Sequence, residues 1–268
     1  MKRICLIALA VVGAASAHAQ VNYASNFDPP AYTVGALNGQ DGWVSGSGTA
    51  GLQLVTNNVW NSSPNSVMMS YAGTGSSFHS VGHAFAAGAP SVNTMILTAS
   101  ANIFVQSVAG ADRYFGIGFG TSGLATSGFM GVALGGNGLR GGGGSYSSYN
   151  SLTGGLLQAR TTADFLNRWV GVSVVADRSI TTNNVVFTFT GLGTSGGLAT
   201  ESFTKSVNFG TTNLTTAQIF TDWGSTSSVQ GTAFVDDVRY GANAVPEPAS
   251  MAVLGLGAAA LIRRRKKA

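Results

Sequence analysis

Trp169-Val-Gly-Val-Ser-Val-Val-Ala176 is the stretch that decides the fold. Val170, Val172 and Val174 alternate with Gly171 and Ser173, the period of a strand that buries one face and leaves the other to small residues. The same alternation separates Phe115, Ile117 and Phe119 by Gly116 and Gly118, and it places Ile103 and Val105 on one side of their segment. Comparable runs cover residues 52–57, 67–71, 78–85, 95–105, 114–119, 129–134, 185–189 and 233–240, each bounded by Gly, Ser or Asn. No segment shows a helical period. About ten to twelve such strands in one body predict an all-β fold, a two-sheet antiparallel sandwich of jelly-roll type.

The glycines at 116 and 118 mark either a close backbone approach or weakly packed outward positions. Gly135 to Gly144, with Ser145 to Asn150 behind it, reads as a long glycine-rich loop in which Arg140, Tyr146 and Tyr149 are open to a ligand. Trp169, at the head of an apolar run, is expected in the core.

Both ends of the chain have to be set aside before composition is interpreted. Lys2 and Arg3 precede the apolar stretch Ile4 to Ala15, and Ala17-His18-Ala19 supplies the small-x-small pattern that signal peptidase cuts. Residues 1–19 are therefore read as a signal peptide and residues 20–244 as the exported sandwich domain. The only cysteine, Cys5, lies in the leader, so the body has no disulfide or thiolate chemistry. Of fourteen Lys and Arg only seven fall in the body, against nine acids. Without clustered cations the body has no electrostatic basis for binding nucleic acid.

Motifs that suggest catalysis lack their structural context. Gly193-Thr-Ser195-Gly-Gly197 matches the nucleophile-elbow pattern, but no helix follows and both body histidines lie upstream. Gly118-Phe-Gly120-Thr-Ser-Gly123 matches a phosphate-binding pattern without its βαβ surroundings. His79 and His83, four apart in a strand, hold their rings about 13 Å apart, too far for one zinc ion. A hydrolase needs two placed carboxylates, and the body has one glutamate, Glu201, with scattered aspartates. A non-enzymatic body is expected.

Asn26-Phe27-Asp28 opens the body and Ala233-Phe-Val-Asp-Asp-Val-Arg-Tyr240 closes it, resembling the terminal strands of lectin-like jelly rolls. The resemblance implies that first and last strands are neighbours. Asp28, Asp236 and Asp237 are then candidate ligands of a structural calcium, with solvated strand-end acids as the alternative. No cofactor is required. Trp43 and Trp223 sit among turn residues, and with Trp60, Tyr146 and Tyr149 they are the candidate contacts for a glycan, with packing caps at the sandwich edge as the favoured alternative for the two tryptophans.

The chain finishes Val245-Pro-Glu-Pro-Ala-Ser250, then an apolar stretch from Met251 to Ile262, then Arg263-Arg-Arg-Lys-Lys267. Twelve apolar residues make a helix of about 18 Å against a hydrocarbon core of about 30 Å, so it holds a bilayer only weakly. The cationic cluster Arg263, Arg264, Arg265, Lys266 and Lys267 acts as a stop on the cytoplasmic side. Motif, short helix and basic stop in that order resemble the PEP-CTERM sorting signal of Gram-negative bacteria. The resemblance implies recognition of Pro246, Glu247 and Pro248 by an exosortase during a transient stay in the inner membrane. It further implies delivery to the cell surface or matrix, in association with extracellular polysaccharide or biofilm. The start of the body, Phe27 to Trp43, is likewise similar to concanavalin-A-like surface proteins carrying this tail. The leading expectation is thus an exported surface or matrix protein, followed by a carbohydrate-binding module and then a sandwich-fold glycan hydrolase.

Overall fold

The computed structural model describes residues 21–47, 53–59, 61, 64–73, 79–85, 95–108, 113–120, 129–136, 138–144, 155–178, 183–194, 197–207, 214–223 and 229–244. The leader, the tail from 245, Trp60, Tyr146, Tyr149 and Ser195 lie outside them. Among the described residues there are sixteen strands, more than the sequence pattern predicts: β1 (Val21–Ser25), β2 (Gly35–Ala36), β3 (Trp43–Ser47), β4 (Gln53–Thr56), β5 (Ser66–Gly73), β6 (His79–Ala84), β7 (Met95–Val108) and β8 (Arg113–Gly120) in the first half. The second half supplies β9 (Phe129–Gly135), β10 (Gly138–Gly144), β11 (Leu156–Ala159), β12 (Trp169–Asp177), β13 (Asn183–Thr194), β14 (Gly197–Val207), β15 (Thr216–Trp223) and β16 (Val229–Ala244). The one helical element described is a single 3-10 turn, Thr162–Asp164. No helix among the described residues is long and apolar enough to cross a membrane.

Two antiparallel sheets form the sandwich. One runs β14-β13-β12-β7-β16-β5-β4-β2, with β1 also on β16; the other runs β11-β10-β9-β8-β15-β6-β3. The sixteen-residue β16 organises the larger sheet. One of its edges pairs with β7, while the other pairs first with β5 and then, from Val238 to Ala242, with β1. The first and last strands are therefore neighbours.

Alternation does what the sequence predicts. Val170, Val172 and Val174 from one sheet and Phe115, Ile117 and Phe119 from the other are buried in a common core with Ile103, Val105, Phe187 and Phe189. A buried hydrogen bond crosses it: Tyr240 Oη donates to the carbonyl of Gln218 at 2.6 Å. Gly118 marks a close backbone approach, since a Cβ there would stand 2.1 Å from the Met130 carbonyl oxygen on β9.

Two expectations need correction. Residues 138–144 are not a loop: β10 pairs along its whole length with β9, and Leu139 and Arg140 are buried. The Arg140 guanidinium lies 4.3 Å from the centre of the Tyr114 ring, which holds its charge against an aromatic face. Trp169 is not in the core either; its position on β12 is outward and half-buried, against Phe104 at a ring separation of 5.5 Å.

Candidate functional site

Midway along β7 and β12 the outward positions hold small residues, while the alternate positions face the core. Ser100 and Asn102 stand beside Ser173 and Gly171 in register, and Thr190 continues the row onto β13. With no large side chain at these middle positions, the sheet carries a trough. One hollow of about 540 Å³ is lined by Ser100, Asn102, Gly171, Thr190, Asp237 and Arg239 among others. A second, of about 470 Å³, shares Ser100, Ser173 and Arg239 with it; a third, of about 210 Å³, shares Asp237 and Arg239 and reaches Asn26.

The wall of this trough comes from an irregularity in β16. Pairing with β7 shifts register between Asp236 and Arg239, and Asp237 takes a left-handed backbone with φ of 52°. Such a bulge turns an extra side chain out of the ladder, and aspartate tolerates the conformation better than most residues. Asp236 is fully buried, and both its oxygens are taken: Oδ1 accepts from the Asp237 N–H at 2.8 Å and Oδ2 from the Asn61 N–H at 3.0 Å. The Oδ2 atom of Asp237 accepts from the side-chain amides of Asn61 and Asn102, each at 3.0 Å. Residues 175 positions apart are thus fastened at one point.

Arg239 projects from the exposed side of the same strand, opposite Ser100, and lines all three hollows. At one end of the trough the outward row continues into Trp169, Phe104 and Phe234, whose rings meet at 5.5 and 6.3 Å. Hydroxyls, amides, one carboxylate and one guanidinium beside an aromatic row form a surface suited to a hydroxyl-rich ligand, which presents donors and acceptors along its edges and C–H faces above and below.

The sequence-predicted residues fall elsewhere. Trp43 is fully buried, so of its two readings the packing cap holds and the glycan contact does not; its indole N–H donates to Tyr23 Oη at 2.8 Å, which bonds Tyr32 Oη at 2.5 Å, and Tyr32 donates to Asp41 at 2.8 Å. Burial raises the phenol pKa values of both Tyr23 and Tyr32. The rings of Tyr23 and His83 stack at 4.1 Å above it. The indole of Trp43 is thus a structural plug and not a glycan contact. Trp223 ends β15 opposite Arg113, and its side chain, like Trp60, Tyr146 and Tyr149, is outside what is described.

Asp28 accepts from the Asn26 side chain at 2.8 Å. Among the described residues, no three His, Cys, Asp or Glu side chains converge as metal ligands, so Asp28, Asp236 and Asp237 do not form one cage. Asn61, Asn102, Ser100, Ser173 and Arg239 were invisible as site residues in the sequence. Their only signal is the run of small outward residues in Thr98-Ala-Ser100-Ala-Asn102 and Gly171-Val-Ser173, which reads equally well as an ordinary solvated face.

Comparisons with known proteins bear on the two parts of the chain separately. Residues 244–266 match the PEP-CTERM protein-sorting motif. No curated protein sequence matches the chain. Among solved structures, the chain is similar to basic winged bean lectin with Tn-antigen, at 9% identity over 84% of this chain and 98% of that one, with a TM-score of 0.49. It is similar also to endo-1,3-β-glucanase from Streptomyces sioyaensis, at 13% identity over 84% and 96%, TM-score 0.48. A third is lectin II from Ulex europaeus, at 9% identity over 83% and 98%, TM-score 0.48.

Proposed function

We propose that the chain is an exported surface or matrix protein whose C-terminal segment is a sorting signal cut by an exosortase, and whose sandwich presents the β7–β12–β16 trough to extracellular polysaccharide. The observation that carries this reading is the match of residues 244–266 to the PEP-CTERM motif. Pro246 and Pro248 keep the backbone around Glu247 extended, because proline disfavours helix both at its own position and before it. The motif is therefore offered to the enzyme outside the bilayer, while Arg263 to Lys267 hold the far end of the apolar segment. These residues act as substrate. After cutting, the body loses its cationic cluster and carries two net negative charges.

The body's share in the function is binding without turnover. Among the described residues the trough is lined by one carboxylate, that of Asp237, and Asp236 beside it points its oxygens into backbone N–H groups. Two-carboxylate glycoside hydrolysis requires a second free acid about 5 to 9.5 Å away.

Intact mass of the exported protein, from hosts with and without the exosortase, tests the sorting reading. The expected result is a product lacking the tail, ending near residues 246–248, only when the exosortase is present. A full tail on surface-displayed protein in both hosts would overturn it.

A further inference from the structure

Strand β14 is the outermost strand of the larger sheet, eleven residues long and without proline. Among the described residues nothing pairs with its second edge. Thr200, Ser202, Thr204 and Ser206 are exposed on one face, and Ala199, Glu201, Phe203 and Lys205 are half-buried on the other. An open edge of this length is a template for another strand. Its sequence says which strand fits.

We infer that β14 pairs antiparallel with β14 of a second copy of this chain, centred on Phe203, so that the nine-stranded sheets join into one. A two-fold axis perpendicular to the sheet keeps each residue on its own face, so only registers that pair like faces are allowed. Centring on Phe203 sets Phe203 against Phe203 of the partner subunit, and Glu201 against Lys205 of the partner subunit, twice. Ala199 then meets Val207 of the partner subunit. Moving the centre by one residue to Ser202 or Thr204 sets each charge against an apolar residue instead. Opposite charges directly across a ladder stabilise it, and like charges there do the reverse.

The monomer is prepared for this contact. Phe203 packs on Phe189 at 6.2 Å at the rim of the core, leaving a half-covered ring that a second ring would close over. Glu201 is paired with Arg160, which fixes its carboxylate on the half-buried face of the strand.

Cysteine cross-linking of the full exported chain, in a Cys5→Ser background, tests the register. Under mild oxidation Phe203→Cys is expected to give a disulfide-linked dimer, because directly opposed residues lie within disulfide range. Ser202→Cys alone is expected to give none, since its own copy lies diagonally, while a mixture of Ser202→Cys and Thr204→Cys chains links. No dimer from Phe203→Cys, or equal linking by Ser202→Cys alone, overturns the proposal. Should Phe203→Cys fold poorly, charge variants read the same register by sedimentation in detergent micelles. Lys205→Glu alone and Glu201→Lys alone are each expected to lose at least tenfold in association, and an equimolar mixture to recover it. Unchanged association of Lys205→Glu alone overturns the proposal.

Discussion

Tyr240 in the larger sheet donates its phenolic hydrogen to the main-chain oxygen of Gln218 in the smaller, at 2.6 Å and without access to water. It is a polar rivet through an apolar core, and its ring also meets Phe119 edge-on at 5.6 Å. Tyr240→Phe keeps the ring and removes this hydrogen bond, for which a loss of about 0.5 to 1.5 kcal/mol is expected. Urea unfolding with an unchanged slope and a lower midpoint would show it.

The same residue sets a limit at high pH. Burial raises the Tyr240 pKa far above its ordinary value of 10.0, and Tyr23 behaves alike. A pKa raised in the folded state means that the unfolded chain ionises first, so the contribution is complete below pH 10 and falls as pH rises beyond it. Alkaline unfolding is expected to begin near pH 10, with a shallower pH dependence for Tyr240→Phe.

At acid pH the corresponding group is His79. Its pKa is lowered by burial and, secondarily, by the charge of Arg113. The unfolded chain therefore takes up this proton first, and stability contributed above an ordinary value of 6.5 is lost as pH falls through it. His79→Gln is expected to flatten the melting temperature between pH 7 and 5, measured by calorimetry.

Much of the fold is legible from single residues. Val170, Val172 and Val174 state which face of β12 is inward, and Phe115, Ile117 and Phe119 do so for β8. What escapes is structure imposed from outside a segment. Nothing in Gly138-Leu-Arg-Gly-Gly-Gly-Gly144 has strand propensity; β9 supplies the ladder, and glycines make a strand when a neighbour holds them. Trp43 is legible only as a choice between packing cap and exposed platform, because its partners, the hydroxyls of Tyr23 and Tyr32, lie outside its own strand. The trough is the least legible, since it is built from what small residues leave empty and from Asn61 and Asn102 closing on one aspartate.

That closure gives a prediction of its own. Asn102→Ala removes one of two amide donors to Asp237, a hydrogen bond to a charged group, and should cost about 1.5 to 3 kcal/mol. Asn102→Asp should cost more, because it sets two carboxylates together. Chemical denaturation of both variants beside the parent would order them, and parent-like stability of Asn102→Ala would mean that the bulge does not depend on this donor.

Gly171 separates binding from folding in the trough. A Cβ there would meet only ordinary contacts, the Asn102 side chain at 3.5 Å and Thr190 at 3.6 Å, so a larger residue stands up from β12 into the hollow without displacing the core. Gly171→Leu is expected to melt within a few degrees of the parent protein. In the same protein, retention on extracellular polysaccharide from the producing cell should fall at least tenfold, since the floor on which Ser100, Ser173 and Arg239 converge is then filled. Arg239→Ala should weaken retention without blocking it, because it removes donors from the lining of the hollows and fills no space in them. Undiminished retention by a correctly folded Gly171→Leu protein would place polysaccharide binding elsewhere on the sandwich.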